Sequence, residues 1–162
     1  MKIGIDFDRV LFNTERFKKH LEEQIPGFSR TYDRAREDGV YNPARHADIL
    51  GVEVAKIFQE IENAKNFLYP DVEELESVDE EVIIVSRGDP EFQAMKIEES
   101  GVLEHLDGYT VVQEEDKQVE GIQALIDDRE VELDRVDVPG YLFSRQRDTL
   151  EDARDWIREV RD

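Results

Sequence analysis

The chain has 162 residues, enough for one well-buried core or a core with a small lobe, and it carries 41 Asp/Glu against 21 Lys/Arg, a formal net charge of −20. A field of that sign repels nucleic-acid backbones and anionic membranes, so neither is an expected partner. The lack of cysteine excludes disulfides, thiolate metal sites and a cysteine nucleophile.

Met1 leads straight into residues 2–6, KIGID, which read as a short buried strand ending in an acid. No basic stretch or apolar leader precedes it and no run approaches the length of a membrane span, so a cytoplasmic protein is expected. Residues 15–68 show no strand pattern. Within them ERFKKHLEEQI and VAKIFQEIENAKNFL carry apolar residues at helical spacing, separated by a Gly- and Pro-punctuated stretch from Pro26 to Gly51. From residue 69 strands and helices alternate. EVIIVS (81–86) is an apolar run of the kind a central parallel strand needs. Asp89 and Pro90 read as the N-cap and first residue of a helix that ends near Gly101. YTVVQ (109–113), QALID (123–127) and GYLFS (140–144) are further strands. A last helix from Asp148 or Thr149 sets Leu150, Ala153, Ile157 and Val160 on one face. The alternation predicts an α/β fold, a Rossmann-like parallel sheet with helices on both faces. Residues 1–14 and 69–162 would form this core, with the helical segment 15–68 inserted after the first strand.

In such sheets the chemistry gathers at the carboxyl ends of the strands. Those ends carry Asp6 and Asp8, then Ser86, Arg87 and Gly88, then Asp127 and Asp128, with Lys117 shortly before the last strand of this set. GIDFDRVLFNT resembles the first motif of the haloacid dehalogenase-like superfamily, an apolar strand followed by Asp-x-Asp. VIIVSRGD resembles the second, Lys117 resembles the third-motif lysine, and ALIDD resembles the fourth, a strand ending in paired acids. With 18 Asp among 162 residues, single acid pairs arise by chance; the order of the four segments over residues 3–128 carries the resemblance.

The resemblance implies a Mg²⁺-dependent phosphatase acting on a small phosphorylated metabolite, such as a nucleotide or sugar phosphate. Asp6 would attack phosphorus and carry an aspartyl-phosphate. Asp8 would protonate the leaving oxygen and later activate water. Ser86 would hydrogen-bond a phosphoryl oxygen, and Lys117 would neutralise charge beside it. Mg²⁺, a hard cation suited to oxygen ligands, would be held by Asp6, by Asp127 or Asp128, and by the backbone carbonyl of Asp8. Arg9 stands where Gly is commoner in the family, and with Arg87 and Gly88 it is expected beside the substrate. An Asp at position 8 argues against dehalogenase chemistry, which does not need it.

Only nine residues separate Lys117 from Asp127, little room for the helix that usually intervenes. Lys96 is the rival lysine, but its mid-helix place in QAMKIEES points to solvent. Residues 15–68 occupy the position of a small cap. Residues 14–69 hold nine Lys/Arg and ten Asp/Glu, a net of −1 against −19 elsewhere, so Lys18, Arg30, Arg34, Arg36 or Arg45 could gather an anionic substrate. His20 and His46 read as helix-surface or core residues. Two other readings share these features. One is a non-catalytic phosphate-binding or regulatory protein. The other is a receiver domain, whose phosphorylated Asp ends a mid-chain strand; here Asp48, near that depth, lies in ARHADILG, which has no strand pattern.

The excess acid itself reads as a hydrated surface adapted to high salt, because the apolar runs exclude a disordered chain. On that reading the melting temperature should climb with KCl from low to multimolar concentration; a flat or falling trend would remove the inference.

Overall fold

The computed structural model describes residues 1–113 and 115–161. In chain order it runs β1 (Lys2–Ile5), α1 (Thr14–Gln24), α2 (Phe28–Thr31), β2 (Arg36–Glu37), β3 (Val40–Tyr41), α3 (Pro43–Leu50) and α4 (Val54–Glu60). It continues through β4 (Glu81–Arg87), α5 (Pro90–Ser100), β5 (Gly108–Val112), β6 (Ile122–Asp127), α6 (Glu130–Asp134), β7 (Gly140–Leu142) and α7 (Leu150–Val160).

The apolar runs form the expected sheet. Its order is β5-β4-β1-β6-β7, and every pairing in it is parallel. Ile5 lies opposite Ile84 on one side and Ile126 on the other, so the acids that follow β1 and β6 and the serine near the end of β4 reach the same edge. The β4–α5–β5 crossover moves outward in one direction and β6–α6–β7 in the other. Right-handed connections therefore place α5 and α6 on opposite faces. The larger core joins Ile3, Ile5, Ile84 and Ile126 to Phe92 and Ile97 of α5 and to Leu150, Ala153 and Ile157 of α7. Ile83, Val85, Val112 and Ile122 form a smaller cluster.

Helix ends follow their capping chemistry. Asp89 accepts a hydrogen bond from the Phe92 amide, Pro90 opens α5, and Gly101 closes it at φ 82°. Thr149 and Asp152 make a reciprocal capping box at the start of α7.

The inserted segment departs from the expectation of helices alone. Asp38 and Gly39, both at positive φ, turn a two-residue hairpin between β2 and β3. An Asp-Gly pair supplies that turn, but strands of two residues are too short to show an alternating pattern. The expected long helix over 54–68 is α only to Glu60 and tightens to 3-10 geometry over Ile61–Phe67. Phe12, Phe17 and Phe67 pack ring against ring and tie the segment to the turn after β1. His46 is fully buried, bonded to Thr31 Oγ1 and Tyr41 Oη at 2.7 Å each, and His20 pairs with Glu60 at 3.1 Å.

Arg145 clamps three segments together. Its guanidinium donates to the Val10 carbonyl and, through both terminal nitrogens, to Asp71 at 2.7 and 2.9 Å, while Asp71 also accepts from the Leu150 amide. Burial would raise the Asp71 carboxyl, but the bonds from Arg145 and Leu150 hold it below its ordinary value. Its contribution to stability is therefore complete above an unfolded pKa of about 4 and is lost as pH falls through the folded value. Asp71→Asn should cost about 2 kcal/mol at pH 7 and flatten the acid limb of a urea-unfolding series from pH 7 to 3. An unchanged acid limb would show that the clamp contributes nothing.

Candidate active site

The site begins where β1 ends. The Asp6 amide still donates to the Ile126 carbonyl at 2.9 Å, which fixes the backbone, and the buried side chain turns to the carboxyl edge of the sheet. Beyond it the chain folds tightly on itself, with the Phe7 carbonyl accepting from the amides of Val10, Leu11 and Phe12. Arg9 sits in this turn at φ 67°, the left-handed region that glycine enters without strain. The structure thus accounts for the preference for Gly there: this chain accepts a strained residue and gains a cation at the rim of the cleft.

Lys117 reaches Asp6 Oδ1 at 3.0 Å and Asp127 Oδ2 at 2.6 Å, and its side chain is only 3% exposed. No helix intervenes before β6; a tight turn held by Val119 to Lys117 and Ile122 to Val119 backbone bonds suffices. Asp127 is fully buried, and its other oxygen accepts from the Arg129 amide at 2.9 Å. Asp6, Asp127 and Asp128 each offer a carboxylate oxygen, all within 4.8 Å of one another. Burial, then the charge of Asp6, pushes Asp127 up to about 6 against the pull of Lys117. Burial and then the hydrogen bond and charge of Asp6 push Asp128 up to about 8. Three carboxylates with one lysine leave uncompensated negative charge, and an oxygen-ligated divalent cation suits that deficit. The donor set therefore fits Mg²⁺.

Lys96 corrects the expectation drawn from its mid-helix position. It is 5% exposed, and its ammonium lies 2.8 Å from Asp8 Oδ1, over the rings of Phe7, Phe12 and Phe92. Both lysines thus belong to the site, each with its own carboxylate. Asp8 also accepts from Thr14 Oγ1 at 2.9 Å and from Gln93 Nε2 at 3.0 Å. Burial would raise its carboxyl, but the charge and hydrogen bond of Lys96, with the bonds from Gln93 and Thr14, hold it down to about 2.

Thr14 and Gln93 were not singled out from the sequence. Thr14 closes the segment GIDFDRVLFNT, two residues beyond the apolar run VLF (10–12), and could have been taken from it. Gln93 offered no signal beyond standing one turn into a capped helix. It also bonds Ser86 Oγ at 2.6 Å. Ser86 is 1% exposed and does not line the cleft, whereas Gln93 does. Gly88 makes this packing possible, since a Cβ there would fall 2.5 Å from Gln93 Cγ. Arg87 borders the cleft but is committed elsewhere, donating twice to Glu132 at 3.0 Å and to the Gln113 carbonyl at 2.6 Å.

The cleft above Asp6, Asp8 and Asp128 has a volume of about 140 Å³ and is walled on the far side by the inserted segment, including Phe28, Tyr32 and Tyr41. Of the five basic residues expected to gather substrate, Lys18 and Arg36 line it. Arg45 turns to Glu37 and the Arg34 carbonyl, and neither Arg30 nor Arg34 borders the cleft.

No protein-family model matches the sequence, and no curated protein resembles it significantly. Solved structures do. A haloacid dehalogenase-like family hydrolase from Xanthomonas campestris superposes with a TM-score of 0.59 at 15% identity, covering 99% of this chain and 95% of that one. A protein described as a haloacid dehalogenase-like hydrolase from Burkholderia xenovorans gives 0.57 at 16% identity, over 82% and 75% of the two chains. A protein described as a beta-phosphoglucomutase from Thermotoga maritima gives 0.51 at 14% identity, over 98% and 99%. The chain has the haloacid dehalogenase-like fold.

On a haloacid dehalogenase-like fold, the reversal of strand order beside β1 opens the crevice that holds this cluster, as in other open α/β sheets. The arrangement presents one carboxylate, Asp6, to the cleft, with a cation behind it and a second carboxylate, Asp8, two residues along. Such a site can attack an electrophile and hold the charge that develops.

Proposed function

We propose that the protein is a Mg²⁺-dependent phosphate monoester hydrolase that acts on a small phosphorylated metabolite through an aspartyl-phosphate on Asp6. The observation that carries the reading is the Asp6 carboxylate at the floor of the cleft, between the Lys117 ammonium and the Asp128 carboxyl. Asp6 and Asp128, which line the cleft, would hold the metal together with Asp127 and the Asp8 carbonyl. When bound, Mg²⁺ supplies positive charge to the oxygens of the transferring phosphoryl group.

The remaining work falls to side chains. Asp6 attacks phosphorus, the P–O bond to the leaving group breaks, and the phosphoryl group rests on Asp6. Lys117 orients Asp6 and offsets the added charge. Asp8 stands ready as a base for the water that splits the intermediate. To act earlier as an acid it must first give up its bonds to Lys96, Gln93 and Thr14 and take up a proton. Leaving groups that need no proton should therefore depart faster. The inserted segment acts as a cap, closing the cleft over a small substrate. The net charge of −20 supports a cytoplasm of high ionic strength as the setting.

The test is phosphate release from p-nitrophenyl phosphate. Turnover should appear with Mg²⁺, vanish with EDTA and return when Mg²⁺ is restored. A non-catalytic phosphate binder is the second reading, and the three bonds that tie down Asp8 favour it. It would bind inorganic phosphate with Mg²⁺ yet release none from the ester.

A further inference from the structure

The cations that border the cleft differ in whether an acid already holds them. Lys117, Lys96 and Arg87 are paired with Asp6 and Asp127, with Asp8 and with Glu132. On the far wall Lys18 has no carboxylate within 4.0 Å among the described residues, and its ammonium lies 4.0 Å from the centroid of the Tyr32 ring. Tyr32 is braced in turn by Tyr41, stacked at 4.6 Å with 11° between the rings. Arg36 also faces Tyr32, at 5.7 Å, and among the described residues its ion-pair partner is Asp33 alone, at 3.9 Å, whose side chain is 92% exposed. Arg9 completes the group at the rim and pairs with Glu15.

Burial makes the Lys18 ammonium easier to deprotonate, and the neighbouring charges of Arg9 and Arg36 add to this against Glu15 and Asp8. Three like charges gathered at one wall, in a chain that carries −20, repel one another, and a bound anion would relieve the repulsion. The charge of the reacting phosphate would be met separately, by Lys117 and by the cation that Asp6, Asp127 and Asp128 would hold. Apolar side chains, Leu21, Phe28, Val40 and Phe92, line the space between. A volume of about 140 Å³ leaves room for a connecting part of a few carbons or one ring.

We propose that Lys18 and Arg36, with Arg9 at the rim, form a subsite for a second anionic group, so that the natural substrate is a small phosphate monoester with an anion at each end. The proposal rests on the phosphatase reading for the reacting end only. Its test uses non-hydrolysable ligands: 4-(phosphonomethyl)benzoate, its carboxylate methyl ester, and p-xylylenediphosphonate, each titrated calorimetrically with Mg²⁺ present. The wild-type protein should bind the benzoate, the diphosphonate or both about tenfold tighter than the ester. A gain with only one of them tells whether the subsite takes carboxylate or phosphate. In Lys18→Met/Arg36→Met the preference should shrink to within about twofold, with the single variants in between.

Both side chains are partly exposed, so the variants should fold, and a circular-dichroism melt checks that each does. Affinities for both the benzoate and the diphosphonate no tighter than for the ester in the wild type, a preference that survives the double substitution, or no binding of any of the three ligands would each overturn the subsite. An intact preference without release of phosphate from p-nitrophenyl phosphate would instead remove the hydrolase and keep the subsite.

Discussion

Replacing Asp6 with Asn should lower kcat with p-nitrophenyl phosphate by about ten-thousand-fold or more, because an amide cannot form the acyl phosphate. The same change should leave stability intact. Lys117 keeps its 2.6 Å bond to Asp127, and removing one of three crowded carboxylates relieves repulsion rather than adding it. The melting temperature of Asp6→Asn should therefore equal or exceed that of the wild type. A variant that loses activity only because it unfolds would contradict this. So would one that retains a tenth of wild-type turnover.

Lys117→Met should fail in both respects. Its ammonium lies against Asp6 and Asp127, so kcat should fall by about a hundred- to a thousandfold as charge on the phosphoryl group goes unmet. Asp127, fully buried, would also lose its cation, and breaking a buried pair from one side costs about 3 kcal/mol. Added Mg²⁺ should restore more stability to this variant than to the wild type, since the metal would supply part of the missing charge. Lys96→Met makes the contrast. Asp8 keeps Thr14 and Gln93 as donors and has a side chain 21% exposed, so the loss of stability should be smaller and the fall in kcat well short of that for Lys117→Met. Comparable kinetic losses in the two lysine variants would show that the roles given to them are wrong.

Lys96 shows where the sequence ceased to be legible. The five strands could be read because each is an apolar run, and the acids could be read because they end those runs. The buried face of α5 comprises Phe92, Gln93, Lys96, Ile97 and Ser100, a helical stripe in which polar residues hold core positions. Polarity assigns such residues to solvent, and it misleads here because the face looks onto a site and not onto a core. Lys117 was legible from placement alone, because a chain reversal of four residues can do what a helix does. The hairpin of β2 and β3 left only its Asp-Gly turn as a trace. Among the basic residues of the inserted segment, sequence could count charge but not direction. Lys18 and Arg36 line the cleft, while Arg45 is spent on Glu37.

The central claim is that phosphate passes through Asp6. Asp8→Asn removes the base that the second step requires but leaves the nucleophile, so the intermediate should accumulate with a leaving group that needs no proton. Quenching this variant after mixing with p-nitrophenyl phosphate and Mg²⁺, then mapping peptide masses, measures the claim directly. The account predicts a burst of p-nitrophenolate and a phosphate-sized increment on the peptide that contains Asp6. No burst, or an increment that maps to Asp127 or Asp128, would contradict it.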